Sequence, residues 1–192
     1  MSLTEYRDDT CVYYTDEYGR YQGEYISWYG TGTVYQTLTY VDDLVHGDII
    51  TWHPNGKVKS VRSYDMGIVN GDFAYWCEFG TIESSKSYSD GKLHGLYRRW
   101  WSNGHPRSET LMVNDDAQGE YKEWHCTGVL KSRTSYVNDH MHGELINYST
   151  DGTVSGNSYM VNDVELIDLL QTNVTEEDKF ALTLIHGGKW LS

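Results

Sequence analysis

Apolar and aromatic residues recur along this chain at a fixed interval rather than in long runs. Trp28, Trp52, Trp76, Trp100, Trp124 and Tyr148 stand 24 residues apart. Three positions before each of them come Tyr25, Ile49, Phe73, Tyr97, Tyr121 and Leu145. Six positions after them come Val34, Val58, Ile82, Pro106, Leu130 and Val154, followed after six more by Tyr40, Tyr64, Tyr88, Met112, Tyr136 and Met160. These last two sets are an even number of residues apart, so in one extended strand they share a face. Two glycine series keep the same period. Gly23, Gly47, Gly71, Gly95, Gly119 and Gly143 form the first, and Gly32, Gly56, Gly80, Gly104, Gly128 and Gly152 follow nine residues behind. Such self-similarity marks an array of units that each bury an apolar set against their neighbours.

Each unit predicts a β-hairpin. The second glycine sits in a turn dipeptide, as in Asn55-Gly56, Asn103-Gly104 and Asp151-Gly152, and these pairs favour the two positive φ angles of a type I′ turn. The links between units are turn-like as well, in Met66-Gly67, Asp90-Gly91 and Asn138-Asp139. Six hairpins joined by turns give an antiparallel meander of about a dozen strands. One point is left open. The residues two and five places after the first glycine differ by an odd number, so either a bulge realigns them or both faces of the sheet are aromatic. Either way the tryptophan column and the glycines are expected to be structural.

The segment Tyr88-Ser89-Asp90-Gly91-Lys92-Leu93-His94-Gly95-Leu96-Tyr97, leading to Trp100 and Asn103-Gly104, resembles a MORN repeat of the variant type found in bacterial YwqK-like and giant-virus proteins. The resemblance runs over residues 16–160 as six units. It implies an all-β repeat fold: an elongated, twisted, single-layer antiparallel β-meander with protein-binding surfaces, serving as a scaffold or assembly platform. Departures occur at Met112 with Asp115-Asp116, and at Tyr148 with Gly156.

The two ends break the period. Residues 1–15 contain Cys11-Val12-Tyr13-Tyr14, expected to be a cap strand on the first hairpin. Residues 161–192 are expected to form a helical cap. Asn162-Asp163 would start a short helix from Val164 to about Leu170, and Thr175-Glu176-Glu177-Asp178 reads as the capping box of a second. Phe180, Ala181, Leu184 and Ile185 line one stripe of that second helix, and Gly187-Gly188 would stop it. The stripe either covers the last hairpin or docks a partner.

Composition narrows the function. The 192 residues carry 15 Lys and Arg against 28 Asp and Glu, a formal charge of −13, which repels phosphate backbones and anionic lipid headgroups. Nucleic-acid and membrane partners are therefore not expected. No run of about 18 apolar residues occurs, and the opening MSLTEYRDDT lacks a basic stretch and an apolar core, so no secretory signal is expected. Cys11, Cys77 and Cys126 are too few and too far apart for a disulfide framework. The expected location is the cytoplasm, or, as the resemblance to giant-virus repeat proteins implies, a virion.

Chemistry-bearing motifs are sparse. His46, His94 and His142 each precede a repeat glycine, but they lie 48 residues apart, or about 19 Å in a meander, far beyond the reach of one metal ion. His125-Cys126 with His140 and His142 is the remaining cluster, and no Cys-x-x-Cys or His-Glu-x-x-His accompanies it. Nucleophile-elbow, Walker and dinucleotide signatures are missing from the sequence. The expectation is a non-enzyme without cofactor, metal or small-molecule substrate. It would bind another protein or copies of itself, and the resemblance implies a virion component as one version. The alternatives are a carbohydrate-binding module whose aromatic rows stack on a glycan and, as the resemblance implies, a lipid-binding module or an antitoxin-like protein that neutralises its partner.

Overall fold

The computed structural model describes residues 2–166. These form one antiparallel sheet of 18 strands. In chain order the strands are β1 (Thr4–Arg7), β2 (Cys11–Thr15), β3 (Gly23–Trp28), β4 (Val34–Val41), β5 (Leu44–Val45), β6 (Gly47–Trp52), β7 (Val58–Asp65), β8 (Ile68–Trp76), β9 (Ile82–Ser89), β10 (Lys92–Leu93), β11 (Gly95–Trp100), β12 (Pro106–Val113), β13 (Asp116–Trp124), β14 (Leu130–Val137), β15 (His140–Met141), β16 (Gly143–Tyr148), β17 (Val154–Val161) and β18 (Val164–Glu165). Each pairs with its neighbours in sequence, so the sheet is an open meander. The hairpin units supply twelve strands; β1 and β2 add an N-terminal hairpin, and four two-residue strands flank the links, raising the expected dozen to 18.

The two kinds of turn are the reverse of the sequence expectation. In the hairpin turns His53 N–H donates to Lys57 O and Gly56 N–H donates to His53 O, at 2.8 and 2.9 Å. Only the glycine there has positive φ, +81° at Gly56 and +86° at Gly104. This is a three-residue loop closed by a left-handed glycine, not a type I′ turn. The Asn55 side chain accepts from Lys57 N–H at 3.0 Å, which stabilises its right-handed conformation. The links between units are the places where two successive residues have positive φ: Asp42-Asp43 (49° and 68°), Met66-Gly67, Asp90-Gly91, Asn114-Asp115, Asn138-Asp139 and Asn162-Asp163.

That last pair corrects the expected helix start. Asn162 and Asp163 have φ of 48° and 67°, and Val164–Glu165 returns as a strand with Val161↔Val164 and Met160↔Glu165. Asn and Asp serve equally as helix caps and as left-handed turn residues. The array decides, because these two lie one 24-residue step beyond Asn138-Asp139. Leu166 is helical, and the rest of the expected first helix, residues 167–170, lies outside the described residues, as does the expected second helix with Phe180, Ala181, Leu184 and Ile185. The N-terminal segment is a hairpin rather than one strand, and β2 joins β3 through Cys11↔Ser27 and Val12↔Ile26.

Both answers to the parity question hold. In every unit the register shifts just before the aromatic column, as at Ser27/Trp28, where Trp28 opposes Val34 while Ser27 opposes Gln36. Tyr35 is the extra residue of that bulge, and its equivalents recur in the other five units. The bulge carries Val34 over to the tryptophan side, parting it from Tyr40 despite their even spacing. One face holds Ile26, Trp28, Val34, Thr37 and Trp52; the other holds Tyr25, Leu38, Tyr40, Phe73 and Tyr121. With one layer there is no sealed core, and no large side chain is completely buried among the described residues. Most of the best-buried apolar groups, Leu38, Phe73, Met112 and Met160, share the tyrosine face, while Val12 and Ile146 lie on the other.

Candidate interaction surface

The tyrosine face begins with a row of rings crossing the first strands. Tyr6 stacks on Tyr13 with centroids 5.1 Å apart, Tyr13 meets Tyr21 and Tyr21 meets Tyr40, both at 5.1 Å, and Tyr25 stands edge-on to Tyr40 at 6.3 Å. Farther along, Arg62 lies 4.9 Å over the Phe73 ring, and the Lys86 ammonium sits among Phe73, Tyr88 and Tyr97 at 5.1, 5.4 and 5.7 Å. Such contacts keep the charged heads in water while their stems cover the rings. Burial pushes the phenols of Tyr13, Tyr25, Tyr40, Tyr121 and Tyr136 above the usual tyrosine range.

The tryptophan face carries Trp28, Trp52, Trp76, Trp100, Trp124 and Tyr148, every one of them half-buried. They are thus neither sealed core nor free platform. Between the first two units an open groove of about 340 Å³ is lined by Ile26, Thr33, Val34, Thr37, Trp52 and Gly56. Toward the middle of the sheet this face turns charged, with Arg98 bonded to Glu109 at 2.6 Å. The repeat glycines of both series all have positive φ. At Gly95 (φ +114°) an added Cβ would meet Ser87 Cβ at 3.2 Å as well, so backbone and space both demand glycine there.

Side chains staple each unit to the next along both long edges. At the hairpin edge, Tyr29 Oη donates to Trp52 O at 2.8 Å and Trp101 Nε1 donates to Trp124 O at 3.0 Å. His53 Nε2 and His125 Nε2 bond Trp76 O and Tyr148 O at 2.8 and 3.0 Å. Cys77 occupies the equivalent place without such a bond. Burial works to raise its thiol, but the N–H groups of Phe79, Thr81 and Gly80 outweigh that and hold it below the usual cysteine range. At the link edge, carboxylates accept from backbone N–H one unit back: Asp43 from Tyr21 at 2.7 Å, Asp115 from Leu93 at 2.8 Å and Asp163 from Met141 at 2.7 Å.

The histidine and cysteine cluster does not assemble. His125 bonds at the hairpin edge and His140 bonds Asp163 at 2.6 Å at the link edge, at opposite ends of the strands. Among the described residues no three His, Cys, Asp or Glu side chains converge as metal ligands, and Cys11, Cys77 and Cys126 are free thiols. Among the same residues no helix is long and apolar enough to cross a membrane. Sequence reasoning missed Arg62 and Lys86, whose column reads Leu38, Arg62, Lys86, Thr110, Thr134 and Ser158 and shares no chemistry that would flag it. It also missed the stapling column, which mixes Tyr, His, Cys, Trp and Ser at one structural place.

An open single-layer array of β-hairpins, with aromatic rows on both faces and no convergent polar site among the described residues, defines a class of repeat protein that offers surface rather than a pocket. Residues 21–42, 45–66, 93–114 and 117–138 match the MORN repeat variant, so four of the hairpin units are similar to that repeat. Repeats of this kind generally mediate interactions with proteins or membrane lipids. No curated protein matches the chain in sequence. One solved structure, of the GtfA/B complex bound to UDP and GlcNAc, is similar over 69% of this chain and 24% of its own, at 11% identity and a TM-score of 0.25. This chain therefore spans about a quarter of that one, and so low a score carries no argument.

Proposed function

We propose that the protein is a non-catalytic scaffold that binds a partner protein through the tryptophan face, in the cytoplasm or as part of a virion. The observation that supports this is the half-buried aromatic row beside an open apolar groove on a sheet without a second layer among the described residues. Half-exposed aromatic side chains next to a concavity are what partner anchors fill. The charge of −13 works against anionic lipid as the partner.

Thr37→Arg places a long cation in the groove without touching the strand ladder. Pull-down from the native source with wild-type and Thr37→Arg baits, followed by mass spectrometry, should yield a protein retained by the first and lost from the second. A partner held equally by both baits would refute the groove. Quenching or enhancement of tryptophan fluorescence by oligosaccharides that saturates, with no protein retained, would replace the scaffold reading by a glycan-binding one.

A further inference from the structure

β1 is an edge strand whose four residues are all exposed, and its only pairing among the described residues is with β2. The alternation of the ladder tells which way its backbone groups point. Asp8 N–H donates to Cys11 O at 3.0 Å, making Asp8 and Cys11 a bonded pair. In an antiparallel ladder bonded and non-bonded pairs alternate, so Tyr6↔Tyr13 is bonded, while Arg7↔Val12 and Glu5↔Tyr14 are not. Gln22 N–H donating to Tyr14 O at 2.9 Å, on the far side of β2, confirms that phase. The N–H and C=O groups of Glu5 and Arg7 therefore point outward, a row of two donors and two acceptors. The side chains of Glu5 and Arg7 share one face, bonded to each other at 2.9 Å and largely exposed, and Tyr6 is 46% exposed on the other face at the head of the tyrosine row.

A charged residue on an edge normally blocks strand addition, because an arriving strand would bury or oppose it. Here the two charges are opposite and lie symmetrically about Tyr6. The geometry points to a second copy of this chain as the occupant of the edge, with the two β1 strands pairing antiparallel about a two-fold axis at Tyr6. In that register Glu5 of each copy faces Arg7 of the other, which exchanges four outward backbone bonds and pairs opposite charges twice. Tyr6 faces its own counterpart as a non-bonded pair with Cα atoms about 4.5 Å apart, and the tyrosine row runs on across the axis. The two other two-fold registers that match outward groups set Glu5 against Glu5 or Arg7 against Arg7, and like charges directly opposite are destabilising. The sequence Thr4-Glu5-Tyr6-Arg7 thus selects a single symmetric register.

This goes beyond the partner face proposed above and does not depend on it, since β1 lies outside the groove. The test is sedimentation velocity on the full chain over a range of concentrations, for wild type, Glu5→Arg, Arg7→Glu and the double variant. The wild type should dimerise reversibly. Each single reversal should weaken the dimer about tenfold or more, and the double exchange should restore it to within about threefold. Tyr6→Cys supplies a second reading, because residues about 4.5 Å apart across the axis lie within disulfide reach. Mild oxidation should then give a peptide cross-linked from residue 6 to residue 6. A wild type that remains monomeric at its highest soluble concentration, a dimer indifferent to both reversals, or oxidation that leaves residue 6 unlinked to itself would overturn the proposal. Partner capture by Arg7→Glu at the wild-type level would show that the groove reading survives such a failure.

Discussion

Replacing Phe73 tests whether the tyrosine face is the side on which this sheet does its burying. The ring is 9% exposed and stands between Arg62 on β7 and Lys86 on β9, its direct cross-strand partners. A phenylalanine buries about 150 to 250 Å², and at about 25 cal/mol/Å² this gives roughly 4 to 6 kcal/mol as an upper figure. An open sheet lets neighbours and water close on the gap, which places Phe73→Ala near the lower end of the core-truncation range, about 3 kcal/mol. Loss of the two exposed cation–π contacts adds about 1 kcal/mol. Phe73→Leu keeps most of the area and should cost only about 1.5 kcal/mol. Urea unfolding followed by both far-UV circular dichroism and tryptophan fluorescence measures the difference. Because β8 couples the units before it to those after, the alanine variant should also lose cooperativity, seen as a smaller dependence on urea. A cost below about 1 kcal/mol for alanine would refute the assignment of the burying face, and leucine proving as costly as alanine would refute the area argument.

Gly95→Ala forces an L residue into φ of +114° with its Cβ 3.2 Å from that of Ser87, and should destabilise by about 1 to 3 kcal/mol in the same urea assay. Cys77→His should instead stabilise by about 1 kcal/mol, by giving the third unit the staple that His53 and His125 form, with a higher urea midpoint as the measure. On the acid side, Asp163 is held low by the His140 hydrogen bond and the Met141 N–H; for Asp16, burial pulls upward but the Arg20 and Tyr18 bonds prevail. A depressed carboxylate stabilises the fold above its unfolded pKa near 3.9, so thermal midpoints should hold down to about pH 5 and fall below that. On the alkaline side, phenols raised by burial favour the fold while neutral. That contribution is intact below about pH 10 and is lost as pH rises through the folded values, so phenolate absorbance and unfolding should rise together above about pH 10.

The period, the hairpins and the need for glycine were legible because each reports a local constraint repeated six times, so chance alternatives cancel. The face assignment was not. Val34 and Tyr40 lie an even number apart, yet the extra residue Tyr35 parts them, and the bulge column Tyr35, Lys59, Glu83, Arg107, Lys131 and Ser155 has nothing in common to announce it. Turn type failed for a related reason: Asn-Gly fits both a type I′ turn and a loop whose glycine alone is left-handed, and the hydrogen-bond count of the loop decides. β1 was invisible because Thr4-Glu5-Tyr6-Arg7 has no apolar alternation; Asp8 makes it a strand by closing the turn, accepting from Thr10 and Cys11 N–H at 2.7 and 2.9 Å. The surface itself could be anticipated as aromatic, but not as half-buried, since exposure depends on how the layer twists.

The edge staples join residues 22 or 23 positions apart, so each unit speaks only to its immediate successor. The 24-residue step is even, so removing or inserting one whole unit returns every following side chain to its former side of the sheet. A step of two units also restores the alternation of Gln22, His46, Asn70, His94, Gln118 and His142 beside the first glycines. Gene duplication or unequal recombination in such a chain lengthens or shortens the surface without rebuilding it, so its natural currency of variation is length. A partner that reads this surface would be measured against it as against a ruler graduated in hairpins.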